Sequence, residues 1–91
     1  MIQFTIKTEP EDQTPEQAEK TLGFIEGFAD SVHDNLSHSE KWGWCSVTVT
    51  AFDGERVGKA NLGGCSYKSL EDFIQCGYFT DLCKDALRDM N

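Results

Sequence analysis

No run of 18 apolar residues occurs in the chain, so nothing in it reads as a membrane-spanning helix. The opening Met1-Ile2-Gln3-Phe4-Thr5-Ile6 has neither the basic start nor the apolar block of a secretory signal; the expectation is a cytoplasmic protein with no membrane partner. Bases are scarce: eight lysines and arginines stand against sixteen acids, a formal charge of −8. That sign opposes contact with phosphate backbones, which sets direct nucleic-acid binding aside and favours basic partners. Histidine is confined to His33 and His38. The chain holds no His-Glu-x-x-His pattern, nucleophile elbow or phosphate-cradling glycine loop. Leu62-Gly63-Gly64-Cys65 lacks the Gly-Lys-Ser/Thr ending of such a loop, and Asp53-Gly54-Glu55 lacks the alternating acids of a calcium loop. Cys45, Cys65, Cys76 and Cys83 form no Cys-x-x-Cys pair. Without an export signal they read as buried free thiols rather than zinc ligands or disulfides. The expectation is a protein that is not an enzyme, with no catalytic residue, metal or cofactor.

What the chain does contain is enough for one core. Ninety-one residues with 38% hydrophobic and 11% aromatic content predict a single compact domain over residues 1–91. Ile2, Phe4 and Ile6 alternate with polar residues as in a strand with one buried face. Thr14-Pro15-Glu16-Gln17 then reads as a helix start, with a capping threonine, proline at the first helical position and glutamine to close a capping box. Ala18, Leu22, Ile25, Ala29, Val32 and Leu36 recur on one stripe, predicting one helix of about 22 residues from Thr14 to Leu36. Gly23 and Gly27 interrupt it, and Phe24 and Phe28 flank its core face. Asn35 to Lys41 reads as the loop after that helix.

Trp42 to Phe52 alternates and is rich in valine and threonine, and Asp53-Gly54 is a hairpin signal. A two-residue turn pairs Phe52 with Glu55, which puts Val49 opposite Gly58 and Val47 opposite Ala60. In that arrangement Trp42, Trp44 and Phe52 fall on the less apolar sheet face, either as cross-strand packing or as an aromatic patch for a partner, a second copy included. Ser69 is placed to cap a helix over Leu70 to Cys76, closed by Gly77, and a second stripe marks a last helix from Phe79 to Met90. The order β-α-β-β-α(-α) predicts an α+β domain: a three-stranded antiparallel-type sheet with one long acidic helix and a C-terminal helical segment on one face.

The charge is concentrated in the first half of the chain. Residues 1–40 hold nine acids against Lys7 and Lys20, whereas residues 41–91 hold seven against six bases. On the predicted helix Glu19, Glu26, Asp30 and Asp34 share a stripe with Glu16 at its edge. Such a stripe is ordinarily a solvated face, but solvated faces mix signs so that neighbouring turns attract, and here one sign stands alone. A row of that kind fits a basic groove built for a nucleic-acid backbone.

Trp42-Gly43-Trp44-Cys45 leading into Val47-Thr48-Val49, then Leu62-Gly63-Gly64-Cys65-Ser66-Tyr67, Glu71-Asp72-Phe73 and Gly77-Tyr78-Phe79, resembles small acidic proteins encoded by bacteriophages and prophages. The resemblance covers residues 42–90 and leaves the acidic stripe outside it. It implies an accessory protein that inhibits host defence, anti-CRISPR proteins among them, acting by occupying a nucleic-acid-binding surface. The expected partner is thus a host protein or nucleoprotein complex with a basic groove, a CRISPR effector foremost. The expected contacts are Glu16, Glu19, Glu26, Asp30 and Asp34 with Phe28, and Trp42 and Trp44 where the aromatic face is used instead.

Overall fold

The computed structural model describes residues 1–22 and 26–91. Its elements run β1 (Gln3–Pro10), α1 (Pro15–Leu22), α2 (Phe28–His38), α3 (Glu40–Gly43), β2 (Cys45–Phe52), β3 (Val57–Cys65), α4 (Leu70–Gln75) and α5 (Tyr78–Met90). The α+β class and the three-stranded antiparallel sheet stand as the sequence predicts, with strand order β1-β2-β3. No helix among the described residues is long and apolar enough to cross a membrane.

The stretch from Thr14 to Leu36 is two helices rather than one. Gly27 stands before α2 with φ +93°, a left-handed conformation that glycine adopts freely and that a right-handed helix cannot absorb. Gly23, Phe24 and Ile25 lie outside the described residues. Beyond, α2 runs on to His38, and Ser39 ends it while its side chain caps the single-turn α3 by accepting from the Trp42 N–H at 3.2 Å. The segment expected as a loop is therefore mostly helical, and Trp42 belongs to α3, not to the strand.

The β2–β3 hairpin keeps its predicted faces but not its predicted register. Phe52 pairs with Val57, Val49 with Ala60 and Val47 with Leu62, two positions from the two-residue-turn expectation. The cause is Asp53. Its carboxylate accepts the Glu55 and Arg56 N–H groups at 3.0 and 2.7 Å and the Arg56 Nε at 3.0 Å, while its own N–H donates to the Arg56 carbonyl. That closes a wider loop than a type I′ turn. A slip of two leaves every side chain on its original face, because strand side chains alternate with period two.

The main core lies between one sheet face and α5. Cys45, Val47, Val49 and Ala51 point from β2 into a cluster with Leu82, Ala86 and Met90, and Phe73 of α4 joins Trp42 there. Gly58 makes this close approach possible, since a Cβ there would stand 2.1 Å from the Ala86 carbonyl oxygen. The edge of β3 is closed by side chains. Asp89 accepts the Lys59 N–H at 2.8 Å, and Glu11 accepts the Gly64 N–H at 3.1 Å. Among the described residues, α1 packs chiefly on α2, and α2 on α1 and α3. With Trp44 they form a second, smaller core of Ala18 and Val32, edged by Phe28 and Leu36.

Two expectations for experiment arise from this scaffold. The Arg56 and Glu55 N–H groups hold the Asp53 carboxyl down at about 2. A depressed carboxyl stabilises the fold above its unfolded pKa of about 3.9 and loses that contribution as pH falls through the folded value. The melting temperature should fall between about pH 4 and pH 2, and Asp53→Asn should fall less over the same window; equal pH profiles would remove Asp53 from the account. Burial pushes the Cys45 thiol up to about 11, and burial with the neighbouring Cys45 pushes Cys65 up to about 12. Both are free thiols, as is the exposed Cys76, which departs from the expectation of burial. Iodoacetamide in native buffer should therefore modify Cys76 first and Cys45 and Cys65 only after unfolding, since the thiolate is the reactive form. Early labelling of Cys45 or Cys65, read by peptide mass, would contradict this packing.

Candidate partner-binding surface

The helical hairpin of α1 and α2 owes its form to local sequence. Thr14 and Gln17 make the predicted capping box: the Gln17 N–H donates to Thr14 Oγ1 at 3.1 Å, and the Thr14 N–H donates to Gln17 Oε1 at 2.9 Å. Ala18 and Val32, both fully buried, face each other across the hairpin with Trp44 beneath. Phe28 meets the Trp44 ring edge-on at 5.7 Å, and Trp44 Nε1 donates to the Gln13 carbonyl at 2.5 Å. Asn35 Nδ2 donates to Ser66 Oγ at 2.9 Å, tying α2 to the chain just beyond β3. The hairpin is thus a braced platform.

The expected acidic residues divide into two groups on it. Glu16 is engaged: its carboxylate meets His33 Nε2, and this hydrogen bond holds its carboxyl below the ordinary value. Glu19 is turned inward and half-buried, where Oε1 accepts the Ala29 N–H at 3.1 Å. It closes one of the open amides in the first turn of α2, a structural duty. Glu26, Asp30 and Asp34 remain exposed, and among the described residues no lysine or arginine forms a salt bridge with them. Asp30 sits in the first turn of α2, where the helix dipole favours an anion. Asp34 is one turn further on, beyond that benefit, and repels Asp30.

The aromatic face expected from Trp42 and Trp44 does not form. Both indoles are buried. Trp42 stacks on Phe73 at 5.2 Å, and Trp44 supports the hairpin. The strand alternation that suggested an outward face does not extend to them, because α3 intervenes before β2 begins at Cys45. Phe52 alone of the three is exposed. Phe28, expected on the flank of the core face and as a partner contact, is half-buried and packs on Trp44.

Chemically this surface offers fixed negative charge and little else. Among the described residues no group of three His, Cys, Asp or Glu side chains is placed to hold a metal ion. Compared with family models, curated proteins and solved structures, the chain matches none. The links from Glu16 to His33 and from Glu19 to Ala29 carried no signal in the sequence, since each joins residues on different helices.

Proposed function

We propose that this protein is a non-catalytic inhibitor that binds a basic, nucleic-acid-binding groove of a host defence complex, with Glu26, Asp30 and Asp34 standing in for backbone phosphates. In the phage setting implied by the resemblance of residues 42–90, that complex is a CRISPR effector. The carrying observation is the exposed set of acids, Glu26 in the turn before α2 and Asp30 and Asp34 on that helix, which form no salt bridge with a lysine or arginine among the described residues and are braced by the core beneath. Asp30 and Asp34 are separated by about 6 Å along the axis, close to two nucleotide steps at about 3.4 Å each. Braced anions lose less side-chain freedom on binding than ones on a loose segment.

Affinity purification from a bacterial lysate that contains the defence complex tests the reading. The wild type should retain the complex and release it as salt rises, and Asp30→Lys/Asp34→Lys should retain none. Retention equal in the two proteins would refute it.

One observation favours a second reading, self-association through the sheet edge. Strand β1 is an edge strand, and Phe4 and the neighbouring Ile2 are 40% and 45% exposed. Edges with apolar flanks pair readily with a further strand. Light scattering decides: a dimer that Phe4→Glu converts to monomer supports this reading, and a monomeric wild type rejects it.

A further inference from the structure

A groove of about 420 Å³ opens where the end of β3 meets the first residues of α2 and α5. Leu62 and the residues from Gly63 to Ser66 line it, together with Phe28, Tyr67 and Tyr78. Each ring comes from a different part of the chain: Phe28 begins α2, Tyr78 begins α5, and Tyr67 follows β3. A carboxylate lies against the same wall. Glu11 Oε1 accepts the Gly64 N–H at 3.1 Å, and a Cβ on Gly63 would come within 3.3 Å of it. Tyr78 is 55% exposed, a large aromatic surface left to solvent at the rim.

We propose that this groove receives the cationic head of a lysine or arginine side chain from a protein partner. Aromatic faces carry negative charge density and attract a cation within about 6 Å of the ring centre. The long apolar stem of such a side chain lies along Leu62 and Phe28 while its head meets the Tyr67 and Tyr78 rings, with the Glu11 carboxylate held on the Gly64 amide of the lining. An anionic ligand meets the opposite balance, since the whole chain carries −8 and the Glu11 carboxylate is bound to the Gly64 amide of the lining. The inference rests on the reading that the partner is basic, and it adds a second contact beside the start of α2. Phe28 lines the groove and opens the helix that carries Asp30 and Asp34.

The test is an amide-resolved NMR titration of the full chain with blocked arginine amide, with blocked norleucine amide as the apolar control. Arginine amide should shift the Gly63, Gly64 and Ser66 amides and the Tyr78 ring, and norleucine amide should leave them in place. Tyr78→Phe should keep the response, whereas Tyr78→Ala should weaken it roughly two- to fivefold. Glu11→Gln keeps an acceptor for Gly64 and should weaken the response by removing charge. Shifts confined to Glu26, Asp30 and Asp34 would overturn the groove proposal while leaving the acidic face intact. An equal response to norleucine, or no response to arginine, would overturn it as well. The function reading fails separately, through retention by the Asp30→Lys/Asp34→Lys protein.

Discussion

Replacing Phe73 with alanine is expected to lower the melting temperature by about 15–30 °C, the largest effect of any truncation in this fold. Phe73 is fully buried. It stacks on Trp42 at 5.2 Å and meets Tyr67 and Phe79 edge-on at 5.2 and 5.8 Å. Three structural units converge there: α3 through Trp42, the segment after β3 through Tyr67, and α5 through Phe79. Removing a buried phenylalanine costs about 3–5 kcal/mol, with each aromatic pair contributing about 0.5–1.5 beyond its area. Small domains have only about 5–15 kcal/mol in total, so the variant should be close to unfolded at physiological temperature. Thermal and urea unfolding by circular dichroism measure this. Phe73→Leu keeps most of the volume and should lose well under half as much. Equal losses in the two variants would mean that the ring contacts with Trp42, Tyr67 and Phe79, and not the filled volume, carry the stabilisation.

The second large effect is expected from adding a single methyl group. In Gly58→Ala the new Cβ would lie 2.1 Å from the Ala86 carbonyl oxygen and 2.4 Å from the Met90 N. Both are backbone atoms of α5, so no side-chain rotation relieves the clash; the helix must lift from the sheet. Overpacking in cores costs about 1–3 kcal/mol and more where backbone must move, and here the upper end or beyond is expected. Lifting α5 also exposes the Val49 and Ala51 surface. Binding of a hydrophobic dye by the variant, with none by the wild type, would report that. An alanine variant with unchanged stability would show that α5 sits further from β3 than described.

These two positions show which parts of the fold were legible in the sequence. Features set by neighbours in the chain were: the capping box at Thr14 and Gln17, the Ser69 cap, and the apolar stripe of α5 all follow from spacing. The hairpin was legible as to faces and not as to register. Alternation encodes the face, while the loop length was decided by a side chain, Asp53, that supplies the acceptor the turn requires. The break between α1 and α2 was only half visible. Gly27 signalled weakness, yet the apolar stripe ran through it, and periodicity cannot tell one helix from two that share a core. Trp42 and Trp44 misled for a related reason. The alternation of β2 was carried backwards into residues that one turn of helix takes out of phase.

The candidate surface was less legible than the fold, since exposure depends on contacts between distant elements. Composition identified the acids but not their engagements. Glu19 is occupied by the first turn of α2 and Glu16 by His33, which leaves Glu26, Asp30 and Asp34 as the available set. The groove of Phe28, Tyr67 and Tyr78 had no sequence signature. Its rings lie far apart in the chain and meet only when the end of β3 comes up against both helices.

If Glu26, Asp30 and Asp34 take the place of a nucleic-acid backbone, this protein and nucleic acid must compete for one groove. The measurement is the affinity of the purified defence complex for labelled nucleic acid as this protein is added, for the wild type and for Asp30→Lys/Asp34→Lys. At close contact each unit charge pair is worth about 1 kcal/mol in water, so reversing two charges should weaken competition by roughly 100-fold or more. Full displacement by the wild type is expected, weaker at higher salt, with almost none by the reversed protein. Displacement equal in both, or a complex that holds nucleic acid and the wild-type protein together, would contradict it.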